Sequence, residues 1–188
     1  MKEHIRTFVA IKIKPEQKLI DQFRSFKKLF INERINWVPE DNFHLTLRFI
    51  GNTTREQLYK LVDKLQEVAA NQDKFSFSIA GAGYFESKGN PRVLFVKINE
   101  EAALKELAEK VEEAVVATGF HPELKAFRPH LTLGRIKYLE NRSRFTSILD
   151  ELPEQKYQHV DVSEFILYQS ILSAEGPSYK VIQIFQLR

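Results

Sequence analysis

The sequence predicts an α+β fold in a single domain of two similar lobes, with two antiparallel sheets facing each other. Three observations predict it. The tetrapeptide His-Leu-Thr-Leu occurs twice, at 44–47 and 130–133. Each copy follows an apolar strand pattern at nearly the same distance: His44 lies 36 residues beyond Phe8, and His130 lies 37 beyond Val93. Short strand patterns mix with helical ones along the whole chain, an order that suits sheets covered by helices. Strand, helix, HLTL strand, helix and strand therefore occur twice. This order reads as an internal duplication with lobes at about 1–86 and 87–188 and strands exchanged between them.

The elements follow in order. Residues 5–13, IRTFVAIKI, are rich in β-branched residues and read as a strand. Pro15 suits a first helical turn, and Leu19, Ile20, Phe23 and Phe26 continue at helical spacing to about residue 29. Residues 34–38 and 42–50 read as extended. Thr53-Thr54-Arg55-Glu56 is a capping-box pattern opening a helix over 53–71, with Leu58, Leu61, Val62, Leu65 and Val68 facing inward. Phe75, Phe77 and Ile79 alternate with serines as a half-buried strand, and Gly89-Asn90-Pro91 turns the chain into a strand at 92–98. A third helix follows, with Glu100 and Glu101 in its first turn and Gly119 closing it. After the second HLTL strand come a loop or short helix at 140–151 and two strands near 159–172 and 178–187. The cluster Ala174-Glu175-Gly176-Pro177-Ser178 separates those two strands.

Composition narrows the function. The chain has 188 residues, 43% of them hydrophobic, enough for a substantial core and unlike a disordered composition. It has no cysteine, which excludes disulfides, thiolate metal sites and a cysteine nucleophile and fits a cytoplasmic location. The N-terminal apolar run is too short and too charged for a signal peptide, and no stretch is long enough for a membrane helix. The net charge of +3 suits an anionic ligand without the dense basic stripe of a duplex binder.

The repeated tetrapeptide carries the chemistry. Duplication alone would preserve any strand, so the side chains must decide. In a strand, Leu45 and Leu47 point one way while His44 and Thr46 point the other. The leucines are ordinary core residues, but a purely structural strand would not need an imidazole and a hydroxyl on its other face twice. Two histidines near neutral pH can serve as general acid and general base, and threonine hydroxyls can hold phosphate oxygens. The best fit is in-line displacement at phosphorus without a metal. No HExxH, cysteine pair or glycine-rich phosphate loop points elsewhere.

HLTLRFIG at 44–51 and FRPHLTLGR at 127–135 resemble the paired His-x-Thr-x motifs of the two-histidine (2H) phosphoesterase superfamily. The likeness extends over RTFVAIKI, INWVPEDNFHLTLRFIGN, GYFESKGNPRVLFVKI and FILYQSILSAEGPSYKVIQIFQLR, and is closest to the RNA 2′,3′-cyclic phosphodiesterases, also called 2′-5′ RNA ligases. The resemblance implies helices outside two sheets that face a central cleft. It implies His44 as proton donor, His130 as proton acceptor, and Thr46, Thr132 and Arg135 as phosphate ligands. No cofactor or metal is implied. The expected reaction opens a terminal RNA 2′,3′-cyclic phosphate to a 2′-phosphomonoester, with reversible 2′-5′ joining of RNA ends as an accompanying activity. Alternatives are a small cyclic nucleotide or 2′-5′ oligoadenylate as substrate, or a non-catalytic RNA-end binding module. No obligate protein partner and no membrane is implied, and a monomer is expected.

Strict alternation sets Arg135 on the leucine face, with Gly134 a candidate bulge that turns it back. Alternation sets Arg48 and Arg128 on the histidine faces, so both are candidate substrate contacts. Tyr168 is a third. Trp37 and Phe43 read as core, and His4, His121 and His159 as surface histidines.

Overall fold

The structure, a computed structural model, describes residues 4–173 and 176–188. The order is β1 (His4–Lys12), α1 (Gln17–Leu29), β2 (Arg34–Trp37), a single 3-10 turn at Glu40–Asn42, β3 (His44–Thr54), α2 (Arg55–Ala70), β4 (Phe75–Ser87), β5 (Asn90–Asn99), α3 (Ala102–Ala117), β6 (His130–Tyr138), α4 (Arg142–Asp150), β7 (Lys156–Val162), β8 (Glu164–Ser173) and β9 (Gly176–Gln186). The strands form two antiparallel sheets, β3-β1-β8-β9 and β2-β6-β5-β4-β7. Each sheet holds one HLTL strand, and β3 and β6 contact each other between the sheets. Both sheets draw strands from both halves of the sequence.

Helices cover the leucine faces. α2 turns Leu61, Leu65 and Ala69 inward at the three-to-four-residue spacing that its apolar pattern dictates. α3 buries Leu104, Leu107, Val111 and Val115 against α2, β3 and β4. One continuous core joins these helices to Val9, Ile11, Leu45, Leu47, Leu131 and Leu133. Each fully buried large side chain contributes on the order of 1.5–3 kcal/mol by leaving water. A second, smaller cluster of Phe8, Ala10, Ile166 and Tyr168 lies on the other face of the first sheet, the face that carries His44.

Three local expectations are corrected. The capping box uses Thr54 and Gln57, not Thr53 and Glu56: Thr54 accepts from the Gln57 amide while the Gln57 side chain accepts from the Thr54 amide. Thr53 is buried, its hydroxyl 2.7 Å from that of Thr7, so it still belongs to the strand. Glu100 and Glu101 precede α3 rather than opening its first turn, and Glu100 accepts from Ser78 at a positive φ of 62°. Gly119 does follow the helix at φ 94°, in the left-handed region that glycine adopts without a Cβ penalty. The expected strand at 159–172 is two strands in different sheets, divided at Ser163. No glycine or proline lies between residues 159 and 172, so nothing local marked the transfer. Ala174 and Glu175 of the expected turn lie outside the described residues.

Candidate active site

Both HLTL segments present their leucines to the core and their histidines and threonines to the opposite, half-buried face. A bulge then interrupts each strand. In β6 the register passes from Thr132 opposite Phe95 to Gly134 opposite Leu94, which leaves Leu133 as the extra residue. Leu133 and Gly134 are both buried, and Arg135 returns to the histidine face. In β3 the extra residue is Leu47, between Thr46 opposite Ala10 and Arg48 opposite Val9. Arg48 therefore falls on the leucine side. It ion-pairs with Glu112 of α3, lies 3.4 Å from Glu123 and donates to the His121 carbonyl at 2.7 Å.

The expectation for Arg48 is thus corrected: its guanidinium ties α3 and the following loop to β3 rather than facing His44. The position five residues after each histidine is the one that regains the histidine face. Phe49 holds it in β3 and is 56% exposed, 5.7 Å from the Phe8 ring, while Arg135 holds it in β6.

The two imidazoles are held alike. His44 Nδ1 is 2.6 Å from the Asn42 carbonyl, and His130 Nδ1 is 2.7 Å from the Arg128 carbonyl. A carbonyl only accepts, so each Nδ1 carries a hydrogen and each Nε2 is left for exchange with a ligand. Aromatic rings flank both. Phe8 and Tyr179 lie 5.2 and 5.1 Å from His44, and Phe85 and Phe95 lie 4.8 and 5.5 Å from His130.

Burial among these rings is the main reason that both pKa values fall below the ordinary histidine range. The Nδ1 hydrogen bonds oppose that shift, and the Arg135 charge adds to it on both residues. His44 also feels Lys12, its cross-strand partner, and His130. Arg135 acts on both imidazoles and His44 also feels His130, so the contact between β3 and β6 brings the two histidines and this arginine close to one another.

The other candidates divide. Arg128 is exposed beside His130, on the second sheet's side. Tyr168 is 7% exposed, stacked on Phe8 at 5.2 Å, and forms part of the floor under the cleft rather than its open surface. Phe43 is fully buried and Trp37 packs edge-on to Phe23 at 5.6 Å. His4 and His121 are exposed, and His159 lies 3.3 Å from Asp161 on the surface. Among the described residues no group of three His, Asp or Glu side chains is placed to hold a metal ion, and no helix is long and apolar enough to cross a membrane.

Sequence reasoning missed the flanking rings and the paired lysines. Lys97 stands opposite His130 as Lys12 stands opposite His44. The shared lysine of FVAIKI and VLFVKI was a usable signal for that symmetry. Tyr179, which reaches His44 from β9, had none.

The chain matches the LigT like phosphoesterase family twice in succession, over residues 11–95 and 96–179. It is similar to an RNA 2′,3′-cyclic phosphodiesterase of Archaeoglobus fulgidus, 32% identical over 187 residues, covering 97% of this chain and 100% of the relative. A relative of the same name from Thermotoga maritima is 32% identical over 178 residues, covering 95% and 93%. A crystal structure of a Thermus thermophilus protein superposes with a TM-score of 0.78 at 29% identity, over 98% of each chain.

Proposed function

This chain belongs to the LigT like phosphoesterase family, and on that premise we propose that it hydrolyses terminal 2′,3′-cyclic phosphates of RNA to 2′-phosphomonoesters through His44 and His130. The carrying observation is the doubled arrangement itself. Each imidazole has Nδ1 tied to the carbonyl two residues before it, leaving Nε2 for a ligand, and has a threonine two residues after it on the same face. The names of the relatives from Archaeoglobus and Thermotoga supply the substrate class.

In the proposed reaction, Thr46, Thr132 and Arg135 bind the non-bridging oxygens, where negative charge grows in the transition state. Water attacks phosphorus in line with the 3′ oxygen, and neutral His130 takes the proton of the attacking water. The P–O3′ bond breaks as protonated His44 gives its proton to that oxygen. An RNA 5′ hydroxyl in place of water would join ends 2′-5′ by the same displacement. No step calls for a metal. The double family match supports two duplicated lobes that exchange strands, and an RNA substrate fits a cytoplasmic monomer.

The division of labour between the histidines follows the resemblance. Local charge pulls against it, because Lys12 and His130 both disfavour a proton on His44. A bound phosphate, being anionic, raises the proton affinity of both imidazoles and restores a proton to the acid.

The test is an end-labelled RNA 2′,3′-cyclic phosphate incubated in EDTA with the protein and with the His44→Ala and His130→Ala variants. Each substitution is expected to lower turnover about 10²–10⁴-fold. A nitrophenyl phosphodiester, whose leaving group needs no proton, assigns the roles. It should rescue His44→Ala and not His130→Ala, and the opposite pattern would exchange the two. A variant with undiminished turnover would remove that histidine from the reaction. Hydrolysis confined to small cyclic nucleotides would change the substrate class.

A further inference from the structure

A cavity of about 780 Å³ opens beside His130, over strands β4 and β5 of the second sheet. Its near wall consists of the groups that hold that histidine. Phe85 and Phe95 flank its ring, Lys97 is its cross-strand partner, and Arg128 supplies the carbonyl that accepts from Nδ1. Asp150 and Glu154 stand among its other lining residues. From these features we infer a second nucleotide subsite: the cavity takes the nucleotide that precedes the cyclic-phosphate terminus of an RNA. The inference rests on the proposed RNA end-processing reaction and deepens it, because a subsite of this kind separates an RNA end from a free cyclic mononucleotide.

The floor is built for a flat ring. Phe85 and Phe95 lie 4.3 Å apart at 31° to one another, and the Phe95 ring extends across Gly83 on the neighbouring strand. A Cβ at Gly83 would come within 2.9 Å of that ring, so the missing side chain allows Phe95 to lie down over the sheet. Base-on-aromatic stacking of this type is favourable and tolerates any base, because every base has a π-face. The site is an open groove, and its volume is enough for one nucleotide.

Charge limits what else can enter. Lys97 is paired with Glu154 at 3.0 Å, and Glu86 with Arg142 at 3.3 Å. Arg128 makes no side-chain hydrogen bond or ion pair among the described residues, and it stands next to His130, where the chain of an RNA would leave the cyclic phosphate. One uncommitted guanidinium matches the single charge of a phosphodiester. Asp150 can accept from exocyclic amino groups of a base but repels further phosphates, so a pyrophosphate-bearing ligand fits this groove poorly.

The experiment compares adenosine 2′,3′-cyclic phosphate with the dinucleotide ApA bearing a terminal 2′,3′-cyclic phosphate. The intact protein is expected to show kcat/KM at least tenfold higher on the dinucleotide. Arg128→Gln should lower the dinucleotide-to-mononucleotide ratio about five- to tenfold, the loss of one charge-assisted hydrogen bond. The ratio is taken within one protein preparation, so incomplete folding cannot imitate the effect. Equal kcat/KM on the two substrates, or a ratio unmoved in Arg128→Gln, overturns the subsite and leaves the reaction standing. Turnover of neither substrate overturns both.

Discussion

Replacing Gly134 with alanine tests the most crowded joint near the site. A Cβ at this position would lie 2.5 Å from Ile35 Cγ2 and 3.3 Å from Trp37 Cε3, where carbon atoms ordinarily sit about 3.5–4.0 Å apart. Gly134 is not at positive φ, so alanine meets no backbone penalty and the effect is purely steric. Edge strand β2 must move away from β6 by about 1 Å, or Ile35 must leave its rotamer. Overpacking on this scale costs about 1–3 kcal/mol. For a chain of this length that lowers the midpoint of thermal unfolding by roughly 2–12 °C.

Urea unfolding followed by tryptophan fluorescence suits the measurement, since the only tryptophan, Trp37, borders the new methyl group. Ile35→Ala removes the clashing methyl at its own cost. The double variant should then be more stable than the sum of the single effects predicts, by about 1 kcal/mol or more. A Gly134→Ala variant within 0.5 kcal/mol of the parent, or strict additivity in the cycle, would refute the close approach. Arg135 is the next residue, so on the proposed reading kcat/KM per folded molecule falls as well.

Two further outcomes are expected. Arg48→Ala strips the partly buried Glu112 of its cation and should lower stability by about 1–3 kcal/mol while leaving KM unchanged; a raised KM with normal stability would return Arg48 to the phosphate. Stability should also fall with acid. With the pKa values of His44 and His130 held below 6.5 in the folded state, the unfolded chain binds more protons as pH drops beneath that value, so stability is lost from about pH 6.5 downward through the folded-state values. A His44→Asn, His130→Asn double variant should show a flatter pH–stability curve over that window. Parallel curves for the two proteins would show that these imidazoles are not the source.

The HLTL strands and the helices were legible because their signals are local. Leucines two apart must share a face, and Leu61 and Leu65 must share a helical stripe, whatever the rest of the chain does. The 36- and 37-residue steps likewise made the two halves visible without coordinates. The capping box slipped by one residue because Thr53 and Thr54 are equally good caps by composition. Only the Thr53–Thr7 contact across β1 and β3 removes the first from the choice.

By itself, the sequence determined which residues could do the chemistry, since an imidazole and a hydroxyl alternating with leucines bring their own faces with them. Tertiary structure decided which arginine faces the cleft. Alternation favoured Arg48 over Arg135, and the bulges at Leu47 and Leu133 reversed both, because a bulge is a register shift against a partner strand that no single segment encodes. The same holds for the transfer of the chain between sheets at Ser163, for Tyr179 arriving beside His44, and for the aromatic floor beside His130. Each depends on strands distant in sequence becoming neighbours, and that proximity arises only when the sheets assemble.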